Sequence, residues 1–95
     1  MKDKKVFKYT LQITDFQQVV MPKGAIPLDI QLQGDQIQLW CLVEVDDGLL
    51  DPKKLRPMNI MCVGTGHAPV PSGFHYIATV QVAGFVWHFF RQEER

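Results

Sequence analysis

Neither sign of charge is in surplus in this chain: ten lysines and arginines stand against ten aspartates and glutamates, a formal net charge of zero with histidine neutral. Broad attraction to nucleic-acid phosphates or to an anionic membrane surface needs a cationic excess, so both classes of partner are disfavoured. Long hydrophobic runs are also missing, and nothing approaches the roughly 20 apolar residues that span a bilayer as a helix. The charged opening Met1-Lys2-Asp3-Lys4-Lys5 leads into alternating residues rather than an apolar core segment, so no secretory signal is expected and the reading is cytosolic. Cysteine occurs only at Cys41 and Cys62, each inside a hydrophobic run, which predicts reduced core thiols rather than a disulfide. Their strand positions predict apolar neighbours that raise the thiol pKa, which argues against a cysteine nucleophile. The lone Ser72 lies between Pro71 and Gly73, outside the pattern that exposes a catalytic hydroxyl. Apolar residues never recur at helical spacing for three turns.

What is present is a period of two. At 95 residues the chain reads as one all-β domain, 1–95, with a real core. Phe7, Tyr9, Leu11 and Ile13 alternate with Lys8, Thr10 and Gln12, a strand with one wet and one dry face. A break at Thr14-Asp15 leads to a second run ending Val19-Val20-Met21, and these two strands are expected to form a hairpin. Leu28, Ile30 and Leu32 precede Gly34-Asp35, and Ile37, Leu39, Cys41, Val43 and Val45 follow, the clearest hairpin in the sequence. Residues 46–57, with Pro52, Lys53, Lys54, Arg56 and Pro57, predict an exposed loop, and Met58 to Val63 a fifth strand. Residues 64–74 predict a second loop, rich in glycine and proline. His75 to Val82 and Phe85 to Arg91, parted by Ala83-Gly84, complete about seven antiparallel strands, in a sandwich or partly closed barrel. The last strand is apolar on both faces, so it is central or covered by a partner. Phe85, Trp87, Phe89 and Phe90 are the candidate interface residues, for a host protein or for a second copy in a homo-oligomer.

Candidate chemistry is sparse. Gly64-Thr65-Gly66-His67 could present backbone N–H groups to a phosphate or carboxylate, with Lys53, Lys54 and Arg56 as cations, although a tight turn needing positive φ explains the same glycines. It lacks the later glycine and the lysine of the named nucleotide loops. His67, His75 and His88 match no compact metal motif, so no metal or other cofactor is expected. His67 and His75 as an acid–base pair would make a small phosphoester hydrolase, the weakest of three readings because no activating partner is visible. The carboxylates scatter through turns and the C-terminal end, and no catalytic residue is assigned. Aromatic residues on a β face can stack bases, yet the basic groove of such proteins is absent.

Six segments, read in order, carry a resemblance: Lys8-Tyr9-Thr10-Leu11-Gln12-Ile13-Thr14-Asp15, Met21-Pro22-Lys23-Gly24-Ala25, Ile30-Gln31-Leu32-Gln33-Gly34, Leu39-Trp40-Cys41-Leu42-Val43, Gly64-Thr65-Gly66-His67 and Phe85-Val86-Trp87-His88-Phe89. With them the chain resembles a family of short phage and prophage proteins catalogued as a domain of unknown function. The connection from Leu49 to Pro57 is longer than is usual there, and Cys41 stands where alanine is more familiar. The resemblance implies a non-enzymatic accessory protein in the bacterial host cytoplasm. With the residues read above, three functions are expected in rank: a binder that inhibits a host component, with antiviral defence as one candidate class; a sponge that sequesters a nucleotide signal through Gly64 to His67; and the hydrolase.

Overall fold

A computed structural model describes residues 2–94. Seven strands follow in chain order: β1 (Lys2–Leu11), β2 (Phe16–Pro22), β3 (Ile26–Gln33), β4 (Gln36–Asp46), β5 (Leu55–Gly64), β6 (Phe74–Val82) and β7 (Phe85–Gln92). They form two antiparallel sheets, one ordered β1-β4-β3 and the other β2-β5-β7-β6. The sheets stack as an open sandwich, so of the two expected architectures the sandwich is the one adopted. Its Cα extents of 45 × 32 × 16 Å reflect strands of up to eleven residues stacked only two layers deep.

Alternation builds the core. In β4, Ile37, Leu39, Cys41, Val43 and Val45 are all buried on one face. They meet Met58, Ile60 and Cys62 of β5, Ala78 and Val80 of β6, and Phe89 of β7, with Leu11, Met21 and Ile30 closing the periphery. Of the three expected hairpins, β3–β4 and β6–β7 are present. The β3–β4 turn has positive φ at Gly34 (64°) but not at Asp35, the distribution of a type II′ turn. The β6–β7 turn has positive φ at both Ala83 (51°) and Gly84 (85°), as a type I′ turn requires.

Two expectations are corrected. β1 and β2 do not form a hairpin: β1 pairs with β4 and β2 with β5, so the chain changes sheets at Gln12–Asp15. The Gln17 side chain seals this corner like a strand, accepting from the Gln12 N–H (3.1 Å) and donating to the Gln12 carbonyl (2.8 Å). The second correction concerns 46–57, which is a loop only to Lys54. A 3-10 turn over Pro52–Lys54 hands the chain to β5 at Leu55, three residues before Met58. Pro57 is tolerated inside that strand because β7 pairs only with Ile60 to Gly64, so no ladder bond to β7 is lost there.

Candidate functional site

At the end of β5, the His67 N–H donates to the Gly64 carbonyl (3.1 Å) and closes a tight turn. Gly66 has φ +73°, and a Cβ there would meet nothing within 4 Å, so the glycine answers a backbone requirement and not a close approach. The His67 ring folds back over Gly64, where a Cβ would lie 3.4 Å from it. Thr65 turns its hydroxyl to His88 Nε2 at 2.7 Å. The amide of His67 and the hydroxyl of Thr65 are thus engaged within the protein.

The cations lie elsewhere. Lys53 and Lys54 belong to the 3-10 turn, which Asp51 caps by accepting from the Lys53 N–H (3.0 Å). Arg56 Nη1 donates to the carbonyls of Lys53 (3.0 Å) and Leu55 (2.8 Å). Arg56 is the second residue of β5 and Gly64 its last, and eight residues of extended chain separate them by about 26 Å. The cavity beside Arg56, about 460 Å³ and lined by Lys23, Asn59, Glu93 and Glu94, shares no residue with the one of about 400 Å³ beside His67, lined by Phe16, Val63, Pro69 and Trp87. The turn and the cations therefore do not converge on one anion.

The three histidines stay apart in role. His75 pairs with Glu93 at 2.9 Å on the surface. His88 sits half-buried in β7 with both ring nitrogens hydrogen-bonded, Nε2 with Thr65 and Nδ1 with Thr79 Oγ1 (2.9 Å), and the Thr79 hydroxyl meets Tyr76 OH at 2.7 Å. Two hydroxyls fix the orientation of this ring, and no carboxylate takes part. Among the described residues no group of His, Cys, Asp and Glu side chains is placed to hold a metal ion. Burial pushes both thiols up to about 11, so Cys41 and Cys62 are free but protonated near neutrality.

β7 is central in its sheet, and its two faces have different fates. Phe89 is fully enclosed in the core, so it does not belong to an accessible interface; Trp87 packs half-buried against that core, and Phe85 projects beyond it at the hairpin end, 65% exposed. Phe90 faces outward. The strand registers set it in one row with Phe16, Met61 and Tyr76, crossing all four strands of the sheet's outer face. Phe16 and Tyr76 at the ends of the row are 59% and 60% exposed. Tyr76 meets Phe90 edge-on, ring centroids 5.7 Å apart, and Phe74 reaches Phe16 at 6.3 Å.

An amide row runs beside the aromatic one: Gln18 Nε2 donates to Asn59 Oδ1 (2.9 Å) and Asn59 Nδ2 to Gln92 Oε1 (2.7 Å). Phe16, Gln18, Asn59, Phe74 and Gln92 line a groove of about 510 Å³ between the rows. Sequence reasoning named Phe90 as an interface candidate but missed the rest of this face, because its residues come from four separated segments. The one local signal was the outward parity of Phe16, Phe90 and Tyr76 in their strands.

A family model described as "Domain of unknown function (DUF7352)" matches residues 2–95. The chain belongs to that family. The match takes in all seven strands, so the DUF7352 unit is the whole sandwich. No curated protein and no solved structure matches the chain. In this DUF7352 protein the most extensive constellation is the aromatic and amide face, with apolar area for contact and amide groups for main-chain hydrogen bonds. Among the described residues no helix is long and apolar enough to cross a membrane.

Proposed function

We propose that this DUF7352 chain is a non-enzymatic binding domain, encoded by a phage or prophage, that occupies and inhibits a protein of its bacterial host in the host cytoplasm. A component of antiviral defence is the partner class we favour. The observation that carries the binding reading is the row Phe16–Met61–Phe90–Tyr76 on the outer face of a sheet, in which Phe16 and Tyr76 are exposed, Phe90 is half-buried and Met61 is buried beneath them, where a domain with no partner is ordinarily polar. Aromatic residues that are half-exposed and flanked by amides have the composition of an interface centre. Two free, buried thiols suit a reducing compartment. The phage origin rests on the resemblance of the six sequence segments.

The test compares capture by the wild-type chain with capture by a Phe16→Lys/Tyr76→Lys variant. Both positions are exposed, so the variant should melt within a few degrees of wild type. One identified host protein, retained by the wild type and at least tenfold depleted with the variant, supports the proposal. Identical capture by both chains overturns the assignment of this face. A nucleotide retained in the native mass spectrum of the purified protein, with no protein partner, would overturn the binder in favour of the nucleotide sponge.

A further inference from the structure

The outer face of the other sheet carries a second apolar patch. Val6, Leu42 and Ile26 lie in register across β1, β4 and β3, with Val6 55% and Ile26 52% exposed, and Leu28 in the β3 bulge is 50% exposed. The next row reads Lys8, Trp40, Asp29. The patch thus has a half-buried apolar centre on β4, a cation at the β1 edge and a carboxylate at the β3 edge.

We propose that this face binds a second copy of the same chain, through a two-fold axis lying in the contact plane along β4. Such an axis lays β1 of each copy over β3 of the other. Val6 then meets Ile26, Leu42 meets Leu42, Trp40 meets Trp40, and Lys8 meets Asp29 at both ends, so the pattern complements itself. The alternative dyad, across the strands, lays β1 on β1 and brings Lys4 against Lys8 at both ends, two like-charge contacts, whereas the dyad along β4 brings only Glu44 against Glu44, each beside its Lys2 partner. In the single chain Lys8 Nζ donates to Gln33 Oε1 (2.7 Å), and Asp29 binds only its neighbours, accepting from the Ile30 N–H (2.8 Å) and Gln31 Nε2 (2.7 Å). Pairing exchanges the neutral acceptor of Lys8 for a charged one. The two rows lie about 7 Å apart along the strands and extend about 14 Å across the three strands, small for an interface, so the dimer is expected to be weak.

Sedimentation velocity of the full chain from about 1 to 200 µM tests this over the concentrations where such an affinity shows. A concentration-dependent dimer is expected. Val6→Lys and Ile26→Lys, both at exposed positions, should each weaken it at least tenfold while a thermal melt shows the fold kept. Lys8→Glu alone and Asp29→Lys alone should each be monomeric. An equimolar mixture of those two variants should recover the dimer, because both edge contacts are then again between opposite charges. A wild type that stays monomeric throughout, a dimer that Val6→Lys leaves intact, or a mixture no more associated than its components would each overturn the proposal. The partner-capture test acts on the opposite sheet, so failure of one leaves the other standing.

Discussion

Truncating Phe89 and Phe90 in turn tests the division of β7 into a core face and a partner face, since the two are adjacent in sequence and differ only in which side of the sheet they occupy. Phe89 is wholly enclosed, in a strand hydrogen-bonded on both sides, and Phe89→Ala leaves a ring-sized void there. Such truncations cost about 3–5 kcal/mol. A domain of this size has about 5–15 kcal/mol in total, so the variant should sit near the edge of folding. With a urea slope of about 1–3 kcal/mol per molar, the midpoint should fall by roughly 2 M at the middle of both ranges. Phe90 is half-buried, and Phe90→Ala gives up part of its apolar burial and the edge-on contact with Tyr76, together about 1–2 kcal/mol. Should Phe89→Ala fail to fold, Phe89→Leu keeps most of the volume and should cost under about 1.5 kcal/mol. Equilibrium urea unfolding followed by tryptophan fluorescence measures all three. A Phe90→Ala cost equal to or above that of Phe89→Ala would refute the assignment of faces.

Other consequences are smaller and equally direct. Gly66→Ala forces an alanine to φ +73° with no new contact, so it should cost about 1–2 kcal/mol, measured in the same denaturation assay. Ala83→Asn should raise stability by about 0.5–1 kcal/mol, because asparagine suits the positive φ of a type I′ turn better than alanine does. The two thiols titrate near 11 when folded against 9.0 as ordinary thiols, so the folded state holds its thiol protons more tightly. Their contribution is complete below pH 9 and is lost as pH rises towards 11, so melting temperature should fall across that window and fall less in a Cys41→Ala/Cys62→Ala chain than in wild type. His75→Ala, which removes an exposed contact with Glu93, should change stability by under about 0.5 kcal/mol.

How far the sequence could be read follows from what a period of two encodes. Alternation tells which residues share a face, and a turn dipeptide tells where neighbouring runs fold back, so the β3–β4 and β6–β7 hairpins were legible from Gly34-Asp35 and Ala83-Gly84. Neither signal names the partner of a strand that leaves its sheet, so the pairing of β1 with β4 and of β2 with β5 was not. In β7 both faces are apolar, and only the packing of Phe89 against the facing sheet breaks the tie. Arg56 and Gly64 look close in sequence, but an extended strand turns eight residues into about 26 Å, which separates the cations from the glycine turn. The aromatic row was hidden for the opposite reason: Phe16, Met61, Phe90 and Tyr76 are distant in sequence and adjacent only through the strand order.

Methionine-methyl NMR tests the central claim most directly, because Met61 lies on the outer side of β5, buried at 4% exposure beneath the aromatic row, whereas Met21 and Met58 belong to the core between the sheets. With methyl-labelled protein titrated by the captured host partner, the Met61 resonance should shift while those of Met21 and Met58 keep their positions. A bound complex in which Met61 stays unmoved would contradict the account.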